Sequence, residues 1–133
     1  MTATIALVGW VLNICVGLVL LLRLLRARRH VPPLAYYHLV TAFVGLGFWI
    51  AFMAAGATVL AWIGFAVLTL HNTFGDMLMV RGWRRRNPDA TGRAYFQAVK
   101  SLLKRPLPLA HAWLAPVAWF PALAAAVLSS WGG

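Results

Sequence analysis

Long apolar runs separated by short basic segments dominate the chain. Apart from Asp76, the runs carry no charged side chain, and they cover residues 3–22, 34–54, 57–79 and 107–131. A helix of about 20 apolar residues crosses the roughly 30 Å hydrocarbon core of a bilayer, and it satisfies its own backbone hydrogen bonds there. The pattern therefore predicts an all-α integral membrane protein, a four-transmembrane-helix bundle that forms a single membrane domain over residues 1–133.

A different periodicity appears between the third and fourth runs. From residue 91 to residue 105, apolar and basic residues separate onto two faces of a helix. The apolar face comprises Tyr95, Phe96, Val99, Leu102 and Leu103. This pattern predicts an amphipathic helix that lies in the headgroup plane. Docking of a cytoplasmic partner is the alternative role.

The composition agrees with a lipid environment. Of the 133 residues, 62% are hydrophobic and only 11% are charged, whereas a soluble domain carries about 25% charged residues. These values exclude a soluble enzyme and a nucleic-acid-binding module, although the net charge is +10.

The placement of the basic residues predicts an orientation. Loops rich in Lys and Arg stay in the cytoplasm, so the loops 23–33 and 81–106 are expected on that side. Both termini and the Ala55–Gly56 turn then lie outside, and we expect a bacterial cytoplasmic membrane. Seven residues of the second loop are expected to bind anionic lipid headgroups: Arg84, Arg85, Arg86, Arg93, Lys100, Lys104 and Arg105.

Small residues indicate where the helices meet, because helices in lipid associate through positions that permit close approach. The predicted packing positions are Gly9, Asn13, Gly17, Gly45 and Gly64. Bulky residues mostly lie off these small-residue faces, and we expect them to face lipid or a second copy of the chain. They are Trp49, Trp62, Trp113, Trp119 and Phe120.

Three histidines form the main candidate site. His38, His71 and His111 lie on three different predicted spans at a similar depth, each on the small-residue face of its helix. The first interpretation is structural: each ring caps a helix end or bonds a neighbouring backbone carbonyl. The second is a site for haem b or a metal ion, since imidazole suits both, with the arginines meeting the haem propionates.

The third interpretation is a pathway for protons or a substrate. Asn72, Thr73 and Asp76 give the third span a polar end beside His71, and histidine titrates near neutral pH. Asp76 has a simpler alternative, an interfacial ion pair with Arg81 or Arg84.

These features favour a non-enzymatic role, because the two acids, Asp76 and Asp89, are not paired and no hydrolytic residue set is present. The leading hypothesis is a non-catalytic subunit or self-assembling component of a membrane complex, with lipids and a homo-oligomer or larger assembly as partners. The alternatives are a haem- or metal-binding membrane protein and a small oligomeric transporter or proton pathway.

Overall fold

The computed structural model describes residues 1–132, which form five α-helices and no strand. Four of the helices are long and apolar enough to cross a membrane. In chain order the helices are α1 (Thr2–Arg26), α2 (Pro33–Ala55), α3 (Thr58–Arg86), α4 (Ala94–Leu102) and α5 (Pro106–Trp131).

The helix ends follow from local backbone chemistry. Pro33 opens α2, since its fixed φ suits a first helical turn. Gly56 ends α2 with a φ of 69° and donates its N–H to the Phe52 carbonyl at 2.8 Å. Because glycine adopts this left-handed conformation without steric cost, α3 can begin two residues later and run antiparallel to α2.

Two helices differ in length from the predicted segments. The third apolar run was predicted to end at 79, but α3 continues to Arg86, because Asn87 and Pro88 are the first residues that break it. The amphipathic segment predicted over 91–105 is helical only over Ala94–Leu102. Gly92, with a φ of 101°, keeps the residues before it out of the helix.

The four long helices contact one another in a ring, with α1 against α2 and α5, and α3 against α2 and α5. α4 packs mainly on α3 and also touches α5. One end of the molecule, here called the basic end, comprises the end of α1, the start of α2, the end of α3, α4 and the start of α5. The opposite end comprises both termini and the α2–α3 turn.

The core lies in the half of the molecule nearer the opposite end. Trp10, Trp49 and Phe52 fill it together with alanines of α3 and α5. The expectation that Trp49 lies off the packing face is wrong: its side chain is fully buried and its indole N–H donates to the Ala3 carbonyl at 3.1 Å. Trp113 and Phe120, by contrast, are exposed.

Glycines allow the close helix approaches of this core. A Cβ added at Gly45 would lie 2.6 Å from the Trp10 ring, and one at Gly64 would lie 3.2 Å from the Trp49 ring. A Cβ at Gly9 would lie 3.2 Å from the α5 backbone at Val117 and Ala118. Each of these glycines therefore gives room to a neighbouring helix.

Candidate functional site: a histidine-lined cavity

His38 and His71 hold α2 and α3 together through two reciprocal hydrogen bonds. The Nδ1–H of His38 donates to the His71 carbonyl at 2.9 Å, and the Nδ1–H of His71 donates to the His38 carbonyl at 2.8 Å. The two rings are stacked, with centroids 3.9 Å apart and an interplanar angle of 11°. The tight α2–α3 turn produces this pairing because the two residues lie at similar distances from it along antiparallel helices.

His111 joins this pair from α5. Its Nδ1–H donates to the Asn13 carbonyl on α1 at 3.1 Å. Its ring meets His38 edge to face, with centroids 5.9 Å apart. The structure thus brings together the three histidines that the sequence placed at one depth, whereas His30 is exposed in the α1–α2 loop.

All three histidines bond a backbone carbonyl of a neighbouring helix, which is the contact expected of a structural histidine. A carbonyl only accepts hydrogen bonds, so each Nδ1 carries the proton. In a neutral ring Nε2 then keeps its lone pair. The structural contacts therefore leave one basic nitrogen on each ring for a further partner.

Two glycines make room for the imidazole rings. A Cβ added at Gly17 would lie 3.0 Å from Cε1 of His111, and one at Gly75 would lie 3.1 Å from Cε1 of His38. Gly17 was predicted as a packing position, and Gly75 was not among the predicted site residues. Its place on the His71 face of the third span was the signal that would have identified it.

The histidines border a cavity of about 770 Å³ that extends from the middle of the molecule to the basic end. Its walls are mostly apolar side chains of α1, α3, α4 and α5. Its lining reaches inward to Asn13 on α1, His71 on α3 and Phe120 on α5, and Arg86 and Arg105 lie at its mouth. A volume of this size suits a small organic molecule or cofactor.

Of the three polar residues predicted beside His71, two line the cavity and one does not. Asn72 and Asp76 line the cavity. Thr73 is exposed and its hydroxyl donates to the Thr69 carbonyl of its own helix. The partner of Asp76 is Tyr95 on α4 rather than Arg81 or Arg84, and the negative charge of Asp76, with some burial, raises the pKa of Tyr95.

α4 covers one side of the cavity near the basic end. Its alanines, Ala94 and Ala98, are buried against Trp83, while Tyr95, Val99, Leu102 and Leu103 contribute to the cavity wall. Phe96 and Leu103 are largely exposed, at 63% and 67%. The predicted apolar face is therefore divided between the cavity and the outside of the molecule.

The seven basic residues predicted to meet lipid headgroups are all exposed. Two of them, Arg86 and Arg105, also line the cavity mouth. They lie close enough for their charges to interact. Two guanidinium groups repel at short range, and an anion between them would relieve that repulsion.

Within residues 1–132, no group of three or more His, Cys, Asp or Glu side chains is arranged to hold a metal ion. The donor chemistry of the cavity is therefore that of single imidazoles. Compared with models of known protein families, curated proteins and solved structures, the chain matches none.

Proposed function

We propose that the chain is an integral membrane four-helix bundle that binds haem b in the histidine-lined cavity. The observation that carries the proposal is the fixed orientation of the imidazoles: each donates Nδ1–H to a backbone carbonyl. Histidines that bind metals in proteins are oriented in this way, with the second nitrogen free for the metal.

Haem fits these donors better than a bare metal ion does. A bare ion needs several protein ligands, and no group of three is available within residues 1–132. Haem would need only one or two imidazoles from the protein, because the porphyrin itself holds the iron.

His111 would hold the haem iron through its Nε2. His38 and His71 stack with centroids 3.9 Å apart, which leaves no space for a porphyrin between them. His111 stands outside that stack, and its ring is held by the Asn13 carbonyl and by the space at Gly17. His38 and His71 are positioning residues in this proposal, because they fix α2 against α3 beside the cavity.

The mouth of the cavity suits the two haem carboxylates. Arg105 precedes His111 by six residues, which is a rise of about 9 Å along a helix. Arg86 approaches Arg105 from α3. The order of imidazole, apolar wall and guanidinium groups along the cavity therefore matches the order of iron, porphyrin and carboxylates in haem. When bound, the haem supplies an iron that accepts and releases one electron.

The proposed orientation puts the basic end in the cytoplasm, because loops rich in Lys and Arg stay there. A role as a subunit of a larger membrane complex is compatible with haem binding and stays a prediction. The geometry supports binding better than transport through one copy, since the core around Trp10 and Trp49 fills the half of the molecule nearer the opposite end.

Reconstitution with haem tests the proposal. The protein purified in detergent is mixed with haemin, and its Soret absorption and haem stoichiometry are measured. We expect one haem per chain and loss of the native Soret band in His111→Gln, which can still donate to the Asn13 carbonyl but has no imidazole nitrogen. His30→Gln is the matched control, because His30 is exposed and is not among the residues that line the cavity.

Two results would overturn the proposal: a wild-type protein that takes up no haem, or a His111→Gln protein with the wild-type spectrum. Circular dichroism checks that each variant keeps its helix content.

A further inference from the structure

Two buried polar atoms on one face of α1 have no hydrogen-bond partner within residues 1–132. They are Nε1 of Trp10, a donor, and Oδ1 of Asn13, an acceptor. Trp10 is fully buried and Asn13 is 2% exposed. A buried polar group without a partner is destabilising, so two of them three residues apart on one helix point to a bound group that satisfies both.

The two side chains are close neighbours. Residues three apart on a helix have Cβ atoms about 5–6 Å apart, and Trp10 and Asn13 have this spacing. The two side chains therefore leave the same face of α1 as neighbours.

The protein groups around this point do not supply that bridge. The Trp10 ring packs on Gly45 and lies tilted against Trp49, with ring centroids 6.3 Å apart. The nearby indole of Trp49 donates to the Ala3 carbonyl instead. The backbone carbonyl of Asn13 already accepts from His111.

We infer that Trp10 Nε1 and Asn13 Oδ1 form a binding site for one hydroxyl group. A hydroxyl accepts from the indole N–H and donates to the amide oxygen, so one oxygen atom satisfies both residues. Asn13 lines the cavity, which gives this site an entry from the basic end. The hydroxyl comes either from a water molecule or from the hydroxyl end of an amphipathic molecule in the cavity.

This site lies deeper than the histidines and does not depend on haem. It extends the polar interior by one helical turn from Asn13 to Trp10, where the core of Trp49 and Phe52 closes it. The inner end of the cavity thus selects a ligand that carries a hydroxyl over one that ends in a methyl group.

Nuclear magnetic resonance of the haem-free protein in detergent micelles tests the inference. The indole N–H signals are assigned with single Trp→Phe variants, and cross-peaks between each indole proton and water are recorded. We expect a water cross-peak at Trp10 that disappears in Asn13→Leu. Trp49 is the internal control, since it is equally buried and bonds a carbonyl directly.

Titration with octan-1-ol, and with octane as its matched control, distinguishes the two sources of the hydroxyl. If no water occupies the site, octan-1-ol shifts the Trp10 indole signal and octane does not, while the Trp49 signal stays in place. The inference is overturned if Trp10 shows neither a water cross-peak nor an alcohol-specific shift. These outcomes are read on the wild-type chain, so they stand even if Asn13→Leu does not fold.

Discussion

In both halves of the molecule, glycines accommodate aromatic rings of a neighbouring helix, but the two halves differ in what these rings form. Toward the opposite end, Gly45 and Gly64 receive the rings of Trp10 and Trp49. Toward the basic end, Gly17 and Gly75 receive the rings of His111 and His38. In both halves a glycine on one helix allows an aromatic side chain of another to approach the backbone.

The difference lies in the ring. Indoles fill the half near the opposite end and leave a closed core with alanines of α3 and α5. Imidazoles are smaller and polar, and the half near the basic end keeps a cavity of about 770 Å³ beside them. We therefore expect the half near the opposite end to contribute most of the stability and the half near the basic end to bind the ligand. Substitutions in each half test this division.

Trp49→Ala is expected to have the largest effect on stability. The substitution removes a fully buried ring from the core and the hydrogen bond from its indole N–H to the Ala3 carbonyl. The expected loss is about 3 kcal/mol, at the low end for a buried tryptophan, because the unfolded helix still lies in lipid. Unfolding in detergent, followed by circular dichroism, measures it.

Trp113→Ala is the control for Trp49→Ala, because Trp113 is 66% exposed. We expect a change below about 0.5 kcal/mol, which is usual for surface substitutions. Equal losses for the two variants would show that the half near the opposite end is not the stabilising one.

Gly45→Ala is expected to cost about 2 kcal/mol, since overpacking a filled core typically costs 1–3 kcal/mol. The added Cβ would lie 2.6 Å from Cζ2 of Trp10, and that ring is fully buried and has little room to move. The same unfolding measurement applies. Gly47→Ala is a matched control two residues away, because its Cβ would meet nothing within 4 Å. A Gly45→Ala protein as stable as Gly47→Ala would contradict the close approach of α1 and α2.

Gly17→Val is expected to change binding more than stability. Its Cβ would lie 3.0 Å from Cε1 of His111, so the ring must move into the adjoining cavity. We expect haem affinity to fall by about tenfold, which corresponds to about 1.4 kcal/mol, with an almost unchanged unfolding midpoint. Haem titration and unfolding of the same preparation measure the two quantities. A large loss of stability with unchanged affinity would place Gly17 among the packing positions instead.

Hydropathy and turn length allowed much of this structure to be predicted. The four apolar runs lie within long helices, because each run is apolar over about the length of a bilayer and only Asp76 among their residues is charged. The tight Ala55–Gly56 turn fixed the register of α2 and α3, so the similar depth of His38 and His71 followed from counting residues.

The rotation of each helix was harder to predict, because in an apolar chain hydropathy does not distinguish the core from the outside. Trp49 was expected outside and lies in the core, since Gly64 gives its ring a place between α2 and α3. Asp76 was expected to pair with an arginine or to line a pathway, and its contact with Tyr95 depends on how α4 folds back over α3. The packing of α4 on α3 depends on the positive φ of Gly92 and on the small side chains of Ala94 and Ala98. The apolar pattern of the segment did not indicate that these alanines form the contact face.

The contact between α3 and α4 gives the smallest expected effect. The Asp76 carboxylate, together with some burial, raises the pKa of Tyr95. In Asp76→Asn the negative charge is removed, so the tyrosinate forms more easily and the pKa of Tyr95 falls. The Tyr95 ring signal, assigned by comparison with Tyr95→Phe, is followed through an alkaline titration of both proteins. Asp89→Asn is the control, because Asp89 lies in the α3–α4 loop and is not among the causes of the Tyr95 shift. A Tyr95 pKa that moves equally in both variants would mean that the net charge of the basic end, rather than the Asp76 contact, sets it, and α4 would then lack its polar attachment to the cavity wall.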